Sequence, residues 1–343
     1  MIGSLQVSII IPVYNVAPCI EACLASVMRQ TYAGSMECVI VDDCGTDDSI
    51  GIAERVIGEY KGTIQFRILH HSHNRGLSAA RNTGTDAAVG KYLYYLDSDD
   101  EIPPDCIEKM MAQVVAHPDV EMVQGNICCH LLEGGEMIAL DAVTVPYAET
   151  NEAVRACFYQ IGQVHVNVWN KLLRRDLIVN HSLYCKEGIV HEDNLWVFYL
   201  LKYVQRAAFI EDVTYHYIFR RQSITKGENK TLRVRSLFAI YSDILSHLTP
   251  GYEQQEYPYY ATRMADSFFY YVRVVPQFKE VLAQCRSLGH VYGSLKLRLR
   301  LAIMSFLAHF KYGPYIWKLI FHPGRLWADA KQKWQKRKAI VIS

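Results

Sequence analysis

Apolar runs and amphipathic stretches alternate along the first 130 residues. "VSIIIPV" (7–13) is a nearly uninterrupted apolar, β-branched run and predicts a strand buried on both faces. A helix is expected near 18–30, opened by Pro18, with Ile20, Cys23, Leu24, Val27 and Met28 on one face. "ECVIVDD" (37–43) predicts a second strand. The helix after it, near 47–60, has Asp47 or Asp48 suited to its N-terminus. "IQFRILH" (64–70) reads as a strand, "GLSAARNTGTDAA" (76–88) as a helix and "KYLYYL" (91–96) as a fourth strand. Pro103 and Pro104 open a helix to about His117, and "DVEMVQGNICC" (119–129) is another strand.

This alternation predicts an α/β fold: a mostly parallel sheet, Rossmann-like, flanked by helices. In such sheets ligands bind beyond the carboxyl ends of the strands. That rim holds Pro12-Val13-Tyr14-Asn15, Asp42-Asp43 and Asp97-Ser98-Asp99-Asp100. After residue 145 the pattern turns mostly helical, with one strand expected at 212–219. The pattern divides the chain into an α/β domain (1–230), a helical extension (231–289) and a basic amphipathic tail (290–343). No apolar run reaches the roughly 18–20 residues that span a bilayer.

The acids after the fourth strand need an explanation. Asp97, Asp99 and Asp100 follow a buried apolar run, and close like charges repel as they lose water. Asp-x-Asp at a strand end offers hard oxygen ligands, suited to Mg²⁺ or Mn²⁺ when substrate phosphates complete the shell. No glycine-rich phosphate loop is present, which argues against an NAD enzyme and a P-loop ATPase.

Composition and charge add three points. The ten Cys show no paired metal-type spacing: Cys19 and Cys23, and the adjacent Cys128 and Cys129, lack a matching second half, so zinc is not expected. The N-terminal run reads as a core strand rather than a signal peptide, which predicts reduced thiols in the cytoplasm. The net charge is +1, yet residues 294–343 carry eleven Lys/Arg against one acid, Asp329. Basic residues mixed with Trp and Leu predict a tail lying on an anionic membrane surface, at the inner face of the cytoplasmic membrane. No nucleic-acid motif accompanies them, so no nucleic-acid partner is expected.

"VSIIIPVYN", "VDDCGTDDS", "HNRGLSAARNTG", "YLDSDD" and "HEDNLWVF" stand in the order and spacing of family 2 glycosyltransferases, which have the GT-A fold. The chain resembles the bacterial enzymes of this family that build cell-surface polysaccharide, over roughly residues 5–225. The resemblance implies that Tyr14 stacks on a nucleotide base, with Pro12 and Val13 lining the pocket. It implies that Asp43 accepts from the uracil ring or ribose, and that Asn74 and Arg81 lie near the donor, Arg81 on phosphate or sugar, with holding the loop as the alternative role of Asn74. Asp97, with Ser98 beside it, contacts sugar or ribose, and Asp99 is the direct ligand of Mn²⁺ or Mg²⁺. For Asp100 the plain structural reading is a cap on the helix that opens at Pro103 or Pro104. Where the family usually has "DDGS" this chain has "DDCG", so the turn is expected to be set by Gly45 rather than Cys44.

The family's catalytic base matches Asp193, with Glu192 beside it. A helix start lowers an acid's pKa, so burial or neighbouring acids must keep Asp193 basic. Trp169 and Lys171 match an acceptor-side segment, whose alternative reading is helix packing. His216, Arg220 and Arg221, with Ser223 and Thr225, match the segment that closes over the donor diphosphate. The implied activity is inverting transfer from a nucleotide-sugar, a UDP-sugar first, to a hydroxyl of a glycan or lipid-linked acceptor. The rivals are a sugar-1-phosphate nucleotidyltransferase, for which "PVYNVAP" lacks the glycine-rich loop, and a non-catalytic glycan-binding or membrane scaffold.

Overall fold

A computed structural model describes residues 5–130, 136–139, 143–219, 230–267, 275, 277–310 and 312–321. The chain forms two compact units, Met1–Glu228 and Asn229–Ser343.

The first unit is built on one sheet. Strands β1 (Val7–Val13), β2 (Met36–Asp42), β3 (Gln65–His70) and β4 (Tyr92–Tyr95) are parallel, in the order β3-β2-β1-β4. Helices α1 (Ile20–Met28), α2 (Ser49–Glu59) and α3 (Leu77–Ala87) connect them. The winding direction reverses between β1 and β4, the switch point at which open α/β sheets bind ligands. β1 is buried along its whole length, as its β-branched run requires. Its core includes Ile9, Ile11 and Val13, packed with Leu24 and Val27 of α1.

Beyond β4 the sheet departs from a simple parallel one. Helix α4 (Cys106–Ala116) leads to β5 (Met122–His130), yet β4 and β5 are not neighbours. Between them lies β8 (Lys171–Arg174), antiparallel to both. The segment 166–178 is therefore not a helix: it carries β8 and then the short α6 (Arg175–Asn180). Four residues that pair on both sides gain their strand state from the ladders, not from local pattern. β6 (Glu136–Ala139) pairs with β5. β7 (Tyr147–Ala148), α5 (Asn151–Ala156) and a π-helical turn (Cys157–Ile161) follow it. Helix α7 (Glu192–Tyr203) precedes β9 (Ala207–Ile218), which runs parallel to β5 and starts earlier than its sequence pattern indicated. Two register shifts between Gln124 and Ile127 of β5 bulge this pair.

The second unit holds α8 (Lys230–Ser246), α9 (Glu253–Asp266), α10 (Phe278–Tyr292), α11 (Leu295–Leu307) and α12 (Gly313–Phe321). Ser294 caps α11, its hydroxyl accepting from Leu297 N at 3.3 Å. The basic stretch beyond residue 321 lies outside the described residues.

Entry to β4 is set by a buried acid on β2. Glu37 accepts from Ser8 Oγ at 2.5 Å, Val89 N at 2.8 Å and Arg67 Nη2 at 2.6 Å. Burial alone would raise its pKa; these hydrogen bonds and the Arg67 charge outweigh that and lower it. Gly90 N in turn donates to Ser8 Oγ at 2.8 Å. A methyl on Gly90 would meet Ser8 N at 2.6 Å and the Val7 carbonyl carbon at 2.7 Å, both backbone. Gly90→Ala is expected to cost about 1–3 kcal/mol, the scale of overpacking. A lower urea midpoint at unchanged m-value is the readout.

Candidate active site

The rim of the switch point is tied together from several elements. Asn15 follows β1 in a left-handed conformation, φ 53°. Its Oδ1 accepts from Thr46 N at 2.7 Å, and Val16 N donates to Ser49 Oγ at 2.8 Å. The β1 turn is thus held on the start of α2. Beside it Tyr14 is 44% exposed, while Pro12 and Val13 are buried within β1. Asp42 accepts from Cys44 N at 3.0 Å. Contrary to expectation, Cys44 rather than Gly45 takes the positive φ, 58°. The residue standing where the family has Gly keeps the conformation that favours Gly.

Asp43 is buried, and its carboxylate is occupied from within the chain. Oδ1 meets His71 Nδ1 at 2.7 Å and accepts from Arg75 N at 2.8 Å. Oδ2 accepts from Asn74 Nδ2 at 3.0 Å and Gly76 N at 2.8 Å. These bonds fill a carboxylate's ordinary acceptor capacity. Asp43 thereby organises the 71–76 loop, and Asn74 holds that loop on Asp43.

Arg81 is buried on α3, with Nη2 on Asp97 Oδ1 at 2.7 Å and Nη1 on Glu192 Oε1 at 2.6 Å. Burial alone would lower its pKa, but the two carboxylates outweigh that and keep the guanidinium charged. It is a clamp between the acids after β4 and the start of α7. The next residue, Asn82, fixes the segment before α7 with two reciprocal bonds. Its Nδ2 donates to Cys185 O at 2.9 Å, and its Oδ1 accepts from Cys185 N at 2.8 Å.

After β4, Asp97 and Asp99 are half-buried, and Ser98 and Asp100 are buried. Asp100 does not cap a helix: α4 starts later, at Cys106, with Asp105 at its N-cap position. Asp100 instead accepts from Tyr215 Oη and Ile218 N of β9, both at 2.8 Å. Its pKa is pushed up to about 8, by burial first and then by the charges of Asp99 and Asp97. A carboxyl held above its ordinary range by burial and by two neighbouring acids marks a place short of positive charge. The donors there are hard oxygens, so the residues fit Mg²⁺ or Mn²⁺.

Glu192 and Asp193 open α7 behind His191, which adopts φ 62°. Asp193 Oδ1 accepts from Asn194 N and Asn194 Nδ2, both at 2.8 Å. The Asp193 pKa is raised, by burial first and then by Glu192; the helix-start bond from Asn194 opposes this and loses.

The remaining sequence candidates fall elsewhere. Lys171 is fully buried and donates to Asn167 O at 2.6 Å, a position of packing on β8 rather than on a helix. Burial pushes its pKa down to about 7, against the opposing charge of Asp193. Trp169 stacks on Tyr215, centroids 4.2 Å apart, and on Tyr217 at 5.8 Å. His216 Nδ1 lies 2.8 Å from His130 Nε2, so its partner is another side chain rather than an open anion site. Arg220, Arg221, Ser223 and Thr225 lie outside the described residues. Sequence reasoning gave no role to Asn82, His71 or Tyr215. Asn82 stood inside a quoted motif; the other two carried no local signal.

The sequence model of glycosyl transferase family 2 matches residues 8–176. The "putative glycosyltransferase EpsH" of Bacillus subtilis (strain 168) is 31% identical over 255 residues, covering 73% of this chain and 71% of that protein.

The chain belongs to glycosyl transferase family 2.

Its activity is glycosyl transfer. The uncharacterised glycosyltransferase YibD of Escherichia coli (strain K12) is 27% identical over 298 residues, 84% of this chain and 85% of that one. Among solved structures, S. aureus TarS 1–349 in complex with UDP-GlcNAc superposes with a TM-score of 0.66 at 18% identity, over 90% of this chain and 87% of that chain. The mannosyltransferase PcManGT from Pyrobaculum calidifontis, in complex with GDP-Man and Mn²⁺, gives 0.55 at 18% identity, over 91% and 83%. These likenesses establish the fold, and the chain has the GT-A architecture of its family.

The clamp gives a direct test. Arg81→Ala is expected to cost about 3–5 kcal/mol, the scale for removing one partner of a buried ion pair. Without the cation two carboxylates lose their shared partner, and a loss of that size lowers the urea midpoint at unchanged m-value. Equal midpoints for Arg81→Ala and the wild type would refute the clamp.

Proposed function

We propose that the chain is an inverting, divalent-cation-dependent glycosyltransferase. It moves a sugar from a nucleotide-sugar, a UDP-sugar first, to a hydroxyl of a growing cell-surface glycan or lipid-linked acceptor. One observation carries this reading: Arg81 joins Asp97 to Glu192, so the acids after β4 and the raised-pKa Asp193 belong to one site.

Tyr14, exposed at the end of β1, stacks on the base, with Pro12 and Val13 forming the wall behind it. The loop organised by Asp43 and Asn74 bounds the nucleotide. Asp97 and Ser98 meet the ribose or sugar, and Asp99 is the direct ligand of Mn²⁺ or Mg²⁺. When bound, the cation would neutralise charge on the departing nucleoside diphosphate. Asp193 takes the proton from the acceptor hydroxyl as that oxygen attacks the anomeric carbon. Its raised pKa makes it a better base than an ordinary aspartate. The acid limb of the pH–rate profile therefore lies above the usual carboxylate range, activity rising with pH as Asp193 loses its proton. The scaffold reading gives no reason for a buried acid of raised pKa beside a clamped acid pair. Complexes of TarS with UDP-GlcNAc and of PcManGT with GDP-Man support the nucleotide-sugar class.

The test combines binding and turnover. UDP with Mn²⁺ is expected to raise the melting temperature by mass action, and Asp99→Asn to abolish the shift. Asp193→Asn is expected to keep the shift while losing about 10²–10⁴-fold in kcat. Full activity in Asp193→Asn would remove it as base. A shift with GDP, dTDP or CMP in place of UDP would change the donor.

The second unit supports a membrane-surface location. Helix α11 buries Leu297, Leu301, Met304 and Leu307, yet exposes Leu295 (73%), Leu299, Ile303 and Phe306 (65%), and Phe310 beyond it extends the row. These positions recur at helical spacing, so they form one apolar stripe, with Lys296 and Arg298 exposed beside it. Among the described residues no helix is long and apolar enough to cross a membrane. An in-plane helix on anionic lipid fits this pattern. Co-sedimentation with vesicles of phosphatidylglycerol is expected for the wild type and at least tenfold weaker for Leu299→Asp/Phe306→Asp. Equal binding by both would end this reading.

A further inference from the structure

On the sheet face away from Tyr215, three metal-ligating side chains converge from β5 and β9. Cys128 and His216 are direct cross-strand partners. His130, two residues beyond Cys128, shares their face by the period of two. One ligand atom from each, the Cys128 sulfur and a ring nitrogen of each histidine, lies within 4.8 Å of the others. Cys128 is buried and both histidines are half-buried, so the group has an anchored side and an open side.

His130 Nε2 and His216 Nδ1 stand 2.8 Å apart. Two imidazole nitrogens at that distance cannot both carry a proton; they share one. A cation can replace it. Zinc-class ions bind imidazole at about 2.0–2.1 Å and thiolate at about 2.3 Å, which sets ligand atoms about 3.3–3.6 Å apart in a tetrahedron. Half an ångström or so of opening between the rings, and about one of approach by the sulfur, reaches that geometry within ordinary side-chain movement.

We propose that Cys128, His130 and His216 form a second metal site, for a borderline-soft divalent ion of the zinc class. It is separate from the acid site, and the donor types sort the ions: carboxylate oxygens at Asp99 take Mg²⁺ or Mn²⁺, while thiolate and imidazole favour Zn²⁺ or Co²⁺. Binding releases the thiol proton of Cys128, the proton between the two rings shifts to the other nitrogen of its own ring so that both imidazoles ligate as neutral groups, and a water takes the fourth position. The ion staples β5 to β9 near the end of β9. There the His216 backbone pairs both ways with Glu101 (2.9 and 3.2 Å), two residues after Asp99. The site therefore stiffens the rim beneath the acids without touching substrate. Spacing rules overlook it, because His216 is 86 residues from His130.

The test uses the full chain, stripped with chelator and titrated with Co²⁺ in the presence of excess Mg²⁺. One equivalent is expected to bind, with tetrahedral visible bands and a thiolate-to-cobalt charge-transfer band in the near ultraviolet. Cys128→Ser should lose the charge-transfer band, His216→Gln should weaken binding at least tenfold, and Asp99→Asn should leave the spectrum unchanged. Zn²⁺ should displace the cobalt and raise the melting temperature of wild type and Asp99→Asn, but not of His130→Gln. The thermal comparison keeps the test open if Cys128→Ser folds poorly. A wild-type spectrum without a thiolate band overturns the proposal. So does a band that survives Cys128→Ser, or a zinc shift that survives His130→Gln.

Discussion

The site depends on one buried guanidinium. Arg81 must hold Asp97 and Glu192 at once, and these reach it from positions 16 and 111 residues away in the chain. Removing these three charges from water is costly, and good geometry with paired hydrogen bonds is what offsets it. The same helix supplies the rest of the support. Asn82 pins the segment before α7, and Trp196 Nε1 donates to Leu183 O at 2.9 Å, closing that segment on α7 itself. α3 can do this because its inner face is small. Ala79, Ala80 and Gly84 are buried, and a methyl on Gly84 would meet Ile10 Cγ2 at 2.4 Å. A bulkier residue there would push the helix off the sheet and carry the clamp with it.

The clamp also bears on the base. The charge of Glu192 raises the Asp193 pKa and that of Arg81 lowers it. Since Arg81 holds Glu192, the two influences arrive as a fixed pair, and burial is left to decide the direction. This answers how an acid at a helix start stays basic. The N-terminal bond from Asn194 is present, but desolvation is the larger effect.

Much of the frame was legible in the sequence, for identifiable reasons. β1 to β4 are apolar runs whose pattern admits little else, and the polar clusters at their ends define the rim without any tertiary information. What escaped depends on contacts distant in sequence. β8 is four residues long and exists because β4 and β5 flank it. The protein partners of Arg81 and Asp100 could not be read from local pattern: those of Arg81 lie 16 and 111 residues away, and Tyr215, which serves Asp100, lies 115 away. Cys44 shows the converse limit. Substituting a residue for Gly did not move the left-handed position to the neighbouring Gly45, because Asp42 fixes the turn through Cys44 N and Gly45 N.

β9 shows how one strand can serve two sites. The register shifts against β5 occur just before Tyr215, and a bulge changes which side chains face which side. Thr214, at the bulge, is turned onto Asn170, its hydroxyl donating to Oδ1 at 2.6 Å. After it the alternation resumes: Tyr215 and Tyr217 face Trp169, and His216 faces His130 and Cys128. The Tyr215 hydroxyl and the Ile218 amide are the two donors that Asp100 uses. The acids after β4 are therefore held by the far end of the sheet as well as by Arg81. A loosening of β9 against β5 would reach Asp100 through that hydroxyl and amide, and the Glu101 backbone through its pairing with His216. The strand pairing is thus part of the electrostatics of the site, since the position of a buried carboxyl relative to Asp97 and Asp99 decides how strongly the three repel.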